Sequence, residues 1–237
     1  IDFKQKYLVV GTPCMIDSFK RLVSRKRAQQ NFIFMDFFCH GIPSYFLWQK
    51  YIQNRTKECG DIFSVSFRHK DNGWNDSYKL LVKGKKGEYI KGIHQGDVFF
   101  KLFLGDYCLG KHCYHNCKFK MDKSAADIRV GDLWGNRYKK HKEGVSAVLA
   151  LTQLGYEVLC QVPYIHLQEE SFEVVTEGQM RVPPKEPIIR SCILKRLRNI
   201  NGDFMMERML MFCNRLYNKI RKILTQPKEV FRNRFIK

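Results

Sequence analysis

The sequence lacks an apolar stretch long enough to cross a bilayer. A membrane-spanning helix needs about 20 consecutive apolar residues, and no apolar run among the 237 residues approaches that length. Low-complexity tracts are also missing, and no internal repeat occurs beyond two similar strand–helix units near the N-terminus. The composition, with 44% hydrophobic and 14% aromatic residues, fits a soluble globular protein. Because the chain starts without Met, a few residues before a predicted strand, we interpret it as a fragment.

Acidic residues are scarce, since 23 Asp and Glu stand against 42 Lys and Arg, a formal net charge of +19. Residues 190–237 hold thirteen basic and three acidic residues, about half of the excess. Such a segment indicates an anionic partner, either nucleic acid, a membrane surface or an acidic protein. Base-reading signatures are absent, which disfavours nucleic acid. A solvated helical tail is the simpler interpretation.

The cysteine pattern does not fit a disulfide framework. Nine cysteines are an odd number, in a chain long enough to bury a core without disulfide staples. We therefore expect free thiols in a reducing compartment, and a cytoplasmic location. Three of the nine, Cys108, Cys113 and Cys117, fall within the stretch CLGKHCYHNCKFK.

The N-terminal part contains the same pattern twice: a buried strand, a loop with a cysteine, and a helix. KYLVV is followed by GTPC, and FIFMDFF is followed by CHGIPS. Two consecutive units of this kind predict a parallel sheet, with both loops at the carboxyl ends of the strands. Three later segments predict an antiparallel meander: IFSVSFRHK, SYKLLVKG and EYIKGI.

The remaining segments complete an α/β prediction. ADIRVGDLWG predicts a strand, GVSAVLALTQLGYEVL a strand and helix or one helix, and SFEVVTEG a last strand. A Pro-rich stop at RVPPKEPIIR separates a domain over residues 1–185 from a helical basic tail over 186–237. The tail is amphipathic, and we expect it to pack on the body up to about residue 217. Only its end, KIRKILTQPKEVFRNRFIK, is expected to be drawn to an anionic membrane surface.

Two distant cysteines are predicted to be neighbours in space. Cys14 and Cys39 each follow a strand of the parallel sheet, so both lie at its carboxyl edge, where helix N-termini favour the thiolate that binds metal. Cys113 and Cys117 would bring four sulfurs together. Four thiolates suit a tetrahedral zinc or an iron–sulfur cluster, and unliganded thiols are the third alternative. The C-x2-C-x2-C-x3-C spacing of an ordinary ferredoxin is absent.

Six motifs occur in a fixed order: VGTPCMIDSFKRL, DFFCHGIPSYFLWQKYI, FRHKDNGW, CYHNCKFK, ADIRVGDLWG and GVSAVLALTQLG. In this order they resemble the C-terminal domain of the coenzyme F-420 hydrogenase/dehydrogenase beta-subunit family, which works with a deazaflavin hydride carrier. The resemblance runs from residue 7 to about 155. It implies an iron–sulfur flavoprotein that passes electrons between a 4Fe-4S cluster, a flavin, usually FAD, and an external carrier or substrate. Bacterial relatives are associated with polysaccharide synthesis.

The resemblance implies that Cys14, Cys39, Cys113 and Cys117 are the cluster ligands. The loop of the family is commonly C-x2-C, whereas CYHNC here has one residue more. Cys108 therefore competes for the place of the fourth ligand, and we prefer Cys117 because CKFK follows it in the order of the family. Longer relatives carry a ferredoxin-like domain upstream, so a redox partner of that kind, or the deazaflavin coenzyme, is expected.

Five further residues are candidate cofactor contacts: Gly11, Thr12, Arg68, Lys70 and Trp134. The glycine either allows close approach of the backbone to a cofactor or permits a tight turn. Arg68 and Lys70 either face a flavin pyrophosphate or belong to a hairpin turn at DNGW. Trp134 either stacks on a flavin or packs in the core. Lys118 and Lys120, beside the cysteine loop, either offset the charge of a four-thiolate cluster or are solvated.

Together with the two strand–helix units, the resemblance implies an oxidoreductase whose parallel βα units position a cluster beside a flavin. A non-catalytic protein from a different class is the alternative, with a structural metal site and a basic tail that docks on an anionic surface. Absorbance separates the two, because only the first would be brown with a flavin band.

Overall fold

The computed structural model describes residues 2, 4–71, 73–74 and 78–225. Within them, seven strands form two sheets: β1 Tyr7–Val10, β2 Phe32–Phe37, β3 Ile62–Phe67, β4 Lys79–Gly84, β5 Gly87–Gly92, β6 Ile128–Asp132 and β7 Ser146–Ala150. The α-helices of the same residues are α1 Pro13–Arg25, α2 Tyr45–Cys59, α3 Val98–Leu104, α4 Lys111–His115, α5 Gln153–Gln161, α6 Phe172–Val175, α7 Arg190–Leu197 and α8 Met205–Thr225.

The larger sheet contains the two predicted βα units. Its strand order is β1-β2-β6-β7, in which β1, β2 and β6 run parallel and β7 is antiparallel to β6. Helix α1 packs on one face of this sheet, where Ile16 and Val23 meet Phe32 and Phe34. The prediction of parallel βα units is confirmed, and with it the expectation that both cysteine loops leave one edge.

The antiparallel insert is also confirmed. Strands β3, β4 and β5 pair in order as a three-stranded antiparallel sheet. Helices α2 and α3 cover it and form the main core cluster, in which Leu47, Tyr51, Leu80 and Phe99 are buried. Asn72, half of the predicted hairpin turn between β3 and β4, lies outside the described residues.

One predicted strand is a helix instead. SFEVVTEG was expected to be a last strand, yet it forms α6. Ser171 caps that helix, since its Oγ accepts a hydrogen bond from the N–H of Val174 at 3.4 Å, and such a cap satisfies a donor that a helix start leaves open. The alternative left open for GVSAVLALTQLGYEVL is decided as strand β7 followed by α5, which Thr152 caps through the N–H of Gly155 at 3.1 Å.

The first part of the C-terminal segment packs on the body. Lys50 of α2 and Glu207 of α8 form a buried ion pair at 2.6 Å, which joins the two helices. Four side chains from the segment belong to the main core cluster: Ile193, Leu197, Phe204 and Met211. The division of the chain at residue 185 stays a prediction, with these side chains buried against the residues before it.

The second part of α8 leaves the body. Asn214 is the last buried residue of the described chain, and every side chain from Arg215 to Leu224 is exposed. Packing therefore ends slightly earlier than the expected residue 217, and most of the predicted membrane-attracted end, residues 226–237, lies outside the described residues. Among the helices of the described residues, none has the length and apolar character needed to span a membrane.

Candidate functional site

Cys14 and Cys39 lie at the carboxyl edge of the larger sheet. Cys14 is the second residue of α1, four residues after the end of β1, and Cys39 follows the end of β2 by two residues. Because β1 and β2 are parallel neighbours, the two loops leave the same edge. Cys14 is exposed and Cys39 is half-buried, so both can be reached from one cavity.

Backbone hydrogen bonds bring the second cysteine pair to the same place. The loop after Cys39 forms a bridge with the segment before α4, where the N–H of Gly110 donates to the carbonyl of Ile42 at 2.9 Å. Cys113 lies in α4, and Cys117 follows that helix by two residues. Both are half-buried. The distant CYHNC loop is therefore held against the CHG loop by the main chain.

All four predicted ligands line one cavity of ≈ 430 Å³, which we call the cysteine cavity. Burial raises the pKa of the Cys39 thiol to about 11, the Lys120 ammonium opposes this rise, and the three other cysteines add to it. Cys39 is thus an electrostatic neighbour of Cys14, Cys113 and Cys117. A cation that binds there must displace the proton of Cys39, since metal ligation requires the thiolate.

Zinc and an iron–sulfur cluster make different demands on four thiols. Among the described residues, no three His, Cys, Asp or Glu side chains form a group that could hold one metal ion. A tetrahedral zinc needs its four ligand atoms roughly 2.0–2.3 Å from one centre. A 4Fe-4S cluster is held by four cysteine thiolates around a larger body. The two centres therefore differ in how far apart the four sulfurs must lie.

Cys108, the competing ligand, lies in a different environment. Its side chain is fully buried in the main core cluster, and its Sγ donates to the carbonyl of Leu102 at 3.7 Å. Burial raises the pKa of Cys108 to about 12. Cys108 does not line the cysteine cavity, whereas Cys117 does. The choice of Cys117 as fourth ligand stays a prediction, and this geometry agrees with it.

A second cavity, of ≈ 510 Å³, adjoins the first, and we call it the aromatic cavity. The two cavities share Cys39, Phe119 and Lys120 in their walls. Lys120 is buried, and its Nζ donates to the carbonyls of Cys39 at 2.6 Å and His40 at 3.2 Å. A buried ammonium therefore stands between the thiols and the aromatic cavity.

The aromatic cavity contains two of the predicted cofactor contacts, Arg68 and Trp134. Tyr78 stacks on Trp134 with ring centroids 5.2 Å apart, and the Arg68 guanidinium lies 4.8 Å from the centroid of Trp134. Arg68 also forms an ion pair with Asp132, and Gln179 Nε2 donates to the Asp132 carbonyl at 2.7 Å. A cation, a carboxylate and stacked rings thus converge in one cavity.

The other three predicted contacts lie elsewhere. The N–H of Gly11 donates to the carbonyl of Met35 at 3.2 Å, which ties the GTPC loop to β2. Thr12 Oγ1 lies 3.4 Å from Cys14 Sγ, beside the cysteine cavity rather than the aromatic one. Lys70 is exposed and belongs to the lining of neither cavity. Their roles as cofactor contacts stay predictions.

Arg190, the last residue of the Pro-rich stop RVPPKEPIIR, was not among the predicted site residues. Arg190 lines the cysteine cavity, and its Nε and Nη2 donate to the carbonyl of Leu109 at 3.0 and 2.8 Å. Its Nη1 also pairs with Glu186 at 3.1 Å. The arginine fixes the segment before α4 and adds a positive charge to the cavity wall. Tyr78 and Gln179 were missed as well, because no spacing in the sequence relates them to the cysteines.

Residues 4–172 match the family model that describes the C terminus of the beta subunit of coenzyme F420 hydrogenase/dehydrogenase. The match covers more than half of the chain. The chain therefore belongs to this family of oxidoreductase subunits, which confirms the resemblance drawn from the six motifs.

No curated protein matches the chain. One solved structure, a chain of the xenon-derivatised F420-reducing NiFe hydrogenase complex from Methanosarcina barkeri, is 16% identical with a TM-score of 0.41. The alignment covers 83% of this chain and 59% of that one. The chain thus spans less than two thirds of the length of that relative, and a likeness at this TM-score carries no argument about the site.

Proposed function

We propose that the chain is an iron–sulfur flavoprotein oxidoreductase that passes electrons between a 4Fe-4S cluster, a flavin and an external carrier or substrate. The observation that carries the proposal is the pair of adjoining cavities. One is lined by four cysteines, the other by Arg68 and stacked aromatic rings, and they share Cys39 and Lys120. Electron transfer between two cofactors requires that they lie close together, and a common wall supports this.

In the cysteine cavity, the chain would supply the four ligands Cys14, Cys39, Cys113 and Cys117. The buried Lys120 ammonium would offset part of the negative charge of four thiolates, because its Nζ is held near them by the carbonyls of Cys39 and His40. Such partners around a centre tune its potential. Burial of Cys39 keeps its thiol protonated until a cation replaces the proton.

In the aromatic cavity, the chain would hold the flavin. Its volume of ≈ 510 Å³ lies within the roughly 300–1,000 Å³ typical of cofactor sites. The stacked rings of Tyr78 and Trp134 offer a flat apolar wall for an isoalloxazine ring. Arg68 offers a positive charge for the pyrophosphate or for an anionic substrate, with Asp132 orienting its guanidinium. When bound, cluster and flavin would supply the electron-transfer chemistry, and the chain positions and tunes them.

Two kinds of electron carrier are candidates for the donor or acceptor. Membership of the family transfers the type of chemistry better than the substrate, so deazaflavin coenzyme is one candidate carrier and a ferredoxin-like module or protein is another. Either partner would need access to the aromatic cavity or to the exposed Cys14 side of the cysteine cavity.

The proposal is tested by anaerobic purification followed by absorbance, iron, sulfide and flavin analysis. We expect brown protein with broad absorption at about 400 nm from the cluster, together with a flavin band, and about four irons and four sulfides per chain. Colourless protein with one equivalent of zinc, or with no metal, would contradict the proposal. The zinc result would favour the alternative of a non-catalytic protein with a structural metal site and a basic tail that docks on an anionic surface.

A further inference from the structure

Helix α8 presents two different faces. Its inner face packs on the body through Glu207, Met211 and Asn214, which are all buried. On the opposite side, apolar side chains recur at steps of three and four residues, each 48–68% exposed: Met205, Met209, Phe212, Leu216, Ile220 and Ile223. We call this set the outward stripe. It runs the whole length of a helix of about 31 Å, and the described residues do not cover it.

Basic side chains follow one flank of the outward stripe. Arg208, Arg215, Lys219 and Lys222 recur at helical spacing beside it, and none of the four pairs with a carboxylate within the described part of the chain. The single acidic residue of α8, Glu207, is buried against Lys50. The exposed surface of the helix is therefore apolar and positive, without an exposed acid.

We propose that the outward stripe docks on an anionic lipid surface, with α8 lying in the plane of the interface. A helix with one apolar face and a Lys/Arg-rich flank is the pattern of interfacial membrane binding. Attraction to anionic headgroups adds to it through each basic residue near the surface. Every side chain from Arg215 to Leu224 is exposed, over about 15 Å of helix. The body therefore does not block contact between this part of α8 and a flat membrane surface.

A second copy of the chain fits the outward stripe less well. The spacing of three and four residues also suits a helical pair, but pairing two copies would bring Arg208, Arg215, Lys219 and Lys222 of each close to those of the other. No acidic residue of the exposed surface of α8 can compensate. Like charges along such a seam oppose association, whereas anionic lipid neutralises them.

The test is co-sedimentation of the full chain with vesicles. We expect binding to vesicles of phosphatidylcholine with one third phosphatidylserine, little binding to pure phosphatidylcholine, and weaker binding at high salt. Phe212→Ser combined with Leu216→Ser should weaken binding at least tenfold by removing apolar area. Arg215→Gln, Lys219→Gln and Lys222→Gln together should weaken it on the order of a hundredfold.

A matched control removes equally exposed apolar side chains from α5. Leu154 and Tyr156 are 44% and 58% exposed, and Leu154→Ser with Tyr156→Ser should leave vesicle binding unchanged. All variants should keep the wild-type far-UV circular dichroism, because every substituted side chain is exposed. Iron and flavin contents are measured on the same samples and should not change, so this test is independent of the cofactor proposal.

Three outcomes would overturn the inference. Equal binding to neutral and anionic vesicles would show that the basic side chains beside the outward stripe do not contribute to binding. Full binding by the variant lacking Phe212 and Leu216 would remove the role of the outward stripe. No vesicle binding by the wild type, together with a dimer that these two substitutions convert to monomer in sedimentation velocity, would assign the stripe to a second copy of the chain.

Discussion

The cysteine cavity and the aromatic cavity share a wall but differ in the groups that they present. The first offers four thiols, which suit soft metal centres, and the second offers a guanidinium, a carboxylate and stacked rings, which suit a flat anionic cofactor. Both depend on the carboxyl edge of the larger sheet, where Cys39 follows β2 and Asp132 ends β6. One sheet edge can therefore position two sites with separate chemistry, with Lys120 between them.

Removal of a proposed ligand should have the largest effect. Cys39→Ser should abolish most of the iron content after anaerobic purification, because Cys39 is half-buried and is an electrostatic neighbour of the three other proposed ligands. Flavin content should fall less, since only one wall of the aromatic cavity changes. Cys192→Ser, which alters an exposed cysteine outside the cysteine cavity, is the matched control. Full iron occupancy in the Cys39 variant would rule out the proposed ligand set.

The next largest effect is expected from substitution of the fourth proposed ligand. Cys117→Ala should lose iron, whereas Cys108→Ala should keep it and lower the free energy of unfolding by about 1–2 kcal/mol, because it leaves a small void in a packed core. Iron analysis and urea unfolding of both variants measure the two effects. If iron is lost only in the Cys108 variant, Cys108 is the ligand and the core placement of its thiol does not describe the loaded protein.

The aromatic cavity can be altered without touching the thiols. Arg68→Gln should weaken flavin binding about tenfold, since one hydrogen-bonded charge to an anion contributes roughly 1.5–3 kcal/mol and part of it is exposed to solvent. Iron content should stay at the wild-type value. Arg21→Gln on α1 removes an exposed charge that lies outside both cavities, and serves as the control. Fluorescence titration with FAD gives the affinities, and equal affinity in both variants would count against this cavity as the flavin site.

Substitution of Lys120 should have the smallest effect. It should change the reduction potential of the cluster rather than the binding of either cofactor. Lys120→Met removes a buried positive charge beside the four thiols, so the reduction potential of the cluster should become more negative, on the order of tens of millivolts. Lys118→Met is the control, because Lys118 is exposed and solvent screens its charge. Spectroelectrochemical titration compares the two. An unchanged potential in the Lys120 variant would show that this ammonium does not tune the cluster.

The sheet edge could be predicted from the sequence because its signals are local. Cys14 and Cys39 each follow a short apolar run. Neighbouring parallel strands end at the same edge of a sheet, so these positions lie close together regardless of the chain between them. The same reasoning could not separate Cys108 from Cys117, since the difference lies in tertiary burial: one thiol packs in the core and the other lines the cavity. Spacing within CLGKHCYHNCKFK carries no information about which side of the loop faces inward.

Two further differences between the sequence prediction and the structure have physical causes. The strand expected at SFEVVTEG is a helix because the cap at Ser171 outweighs the β-preference of its valines. The roles of Tyr78 and Gln179 in the aromatic cavity escaped prediction because their contacts, with Trp134 and the Asp132 carbonyl, join segments far apart in the chain. Local pattern predicts elements and their edges, whereas cavity walls formed by three segments require the folded structure.

The central claim is that four cysteines hold one 4Fe-4S cluster next to a flavin cavity. The most direct measurement is electron paramagnetic resonance of anaerobically prepared protein after reduction with dithionite, with iron and sulfide determined on the same sample. We predict a signal of a reduced cluster that integrates to about one spin for every four irons, and its loss in Cys39→Ser. Iron-containing wild-type protein without such a signal, or an undiminished signal in the Cys39 variant, would contradict the claim.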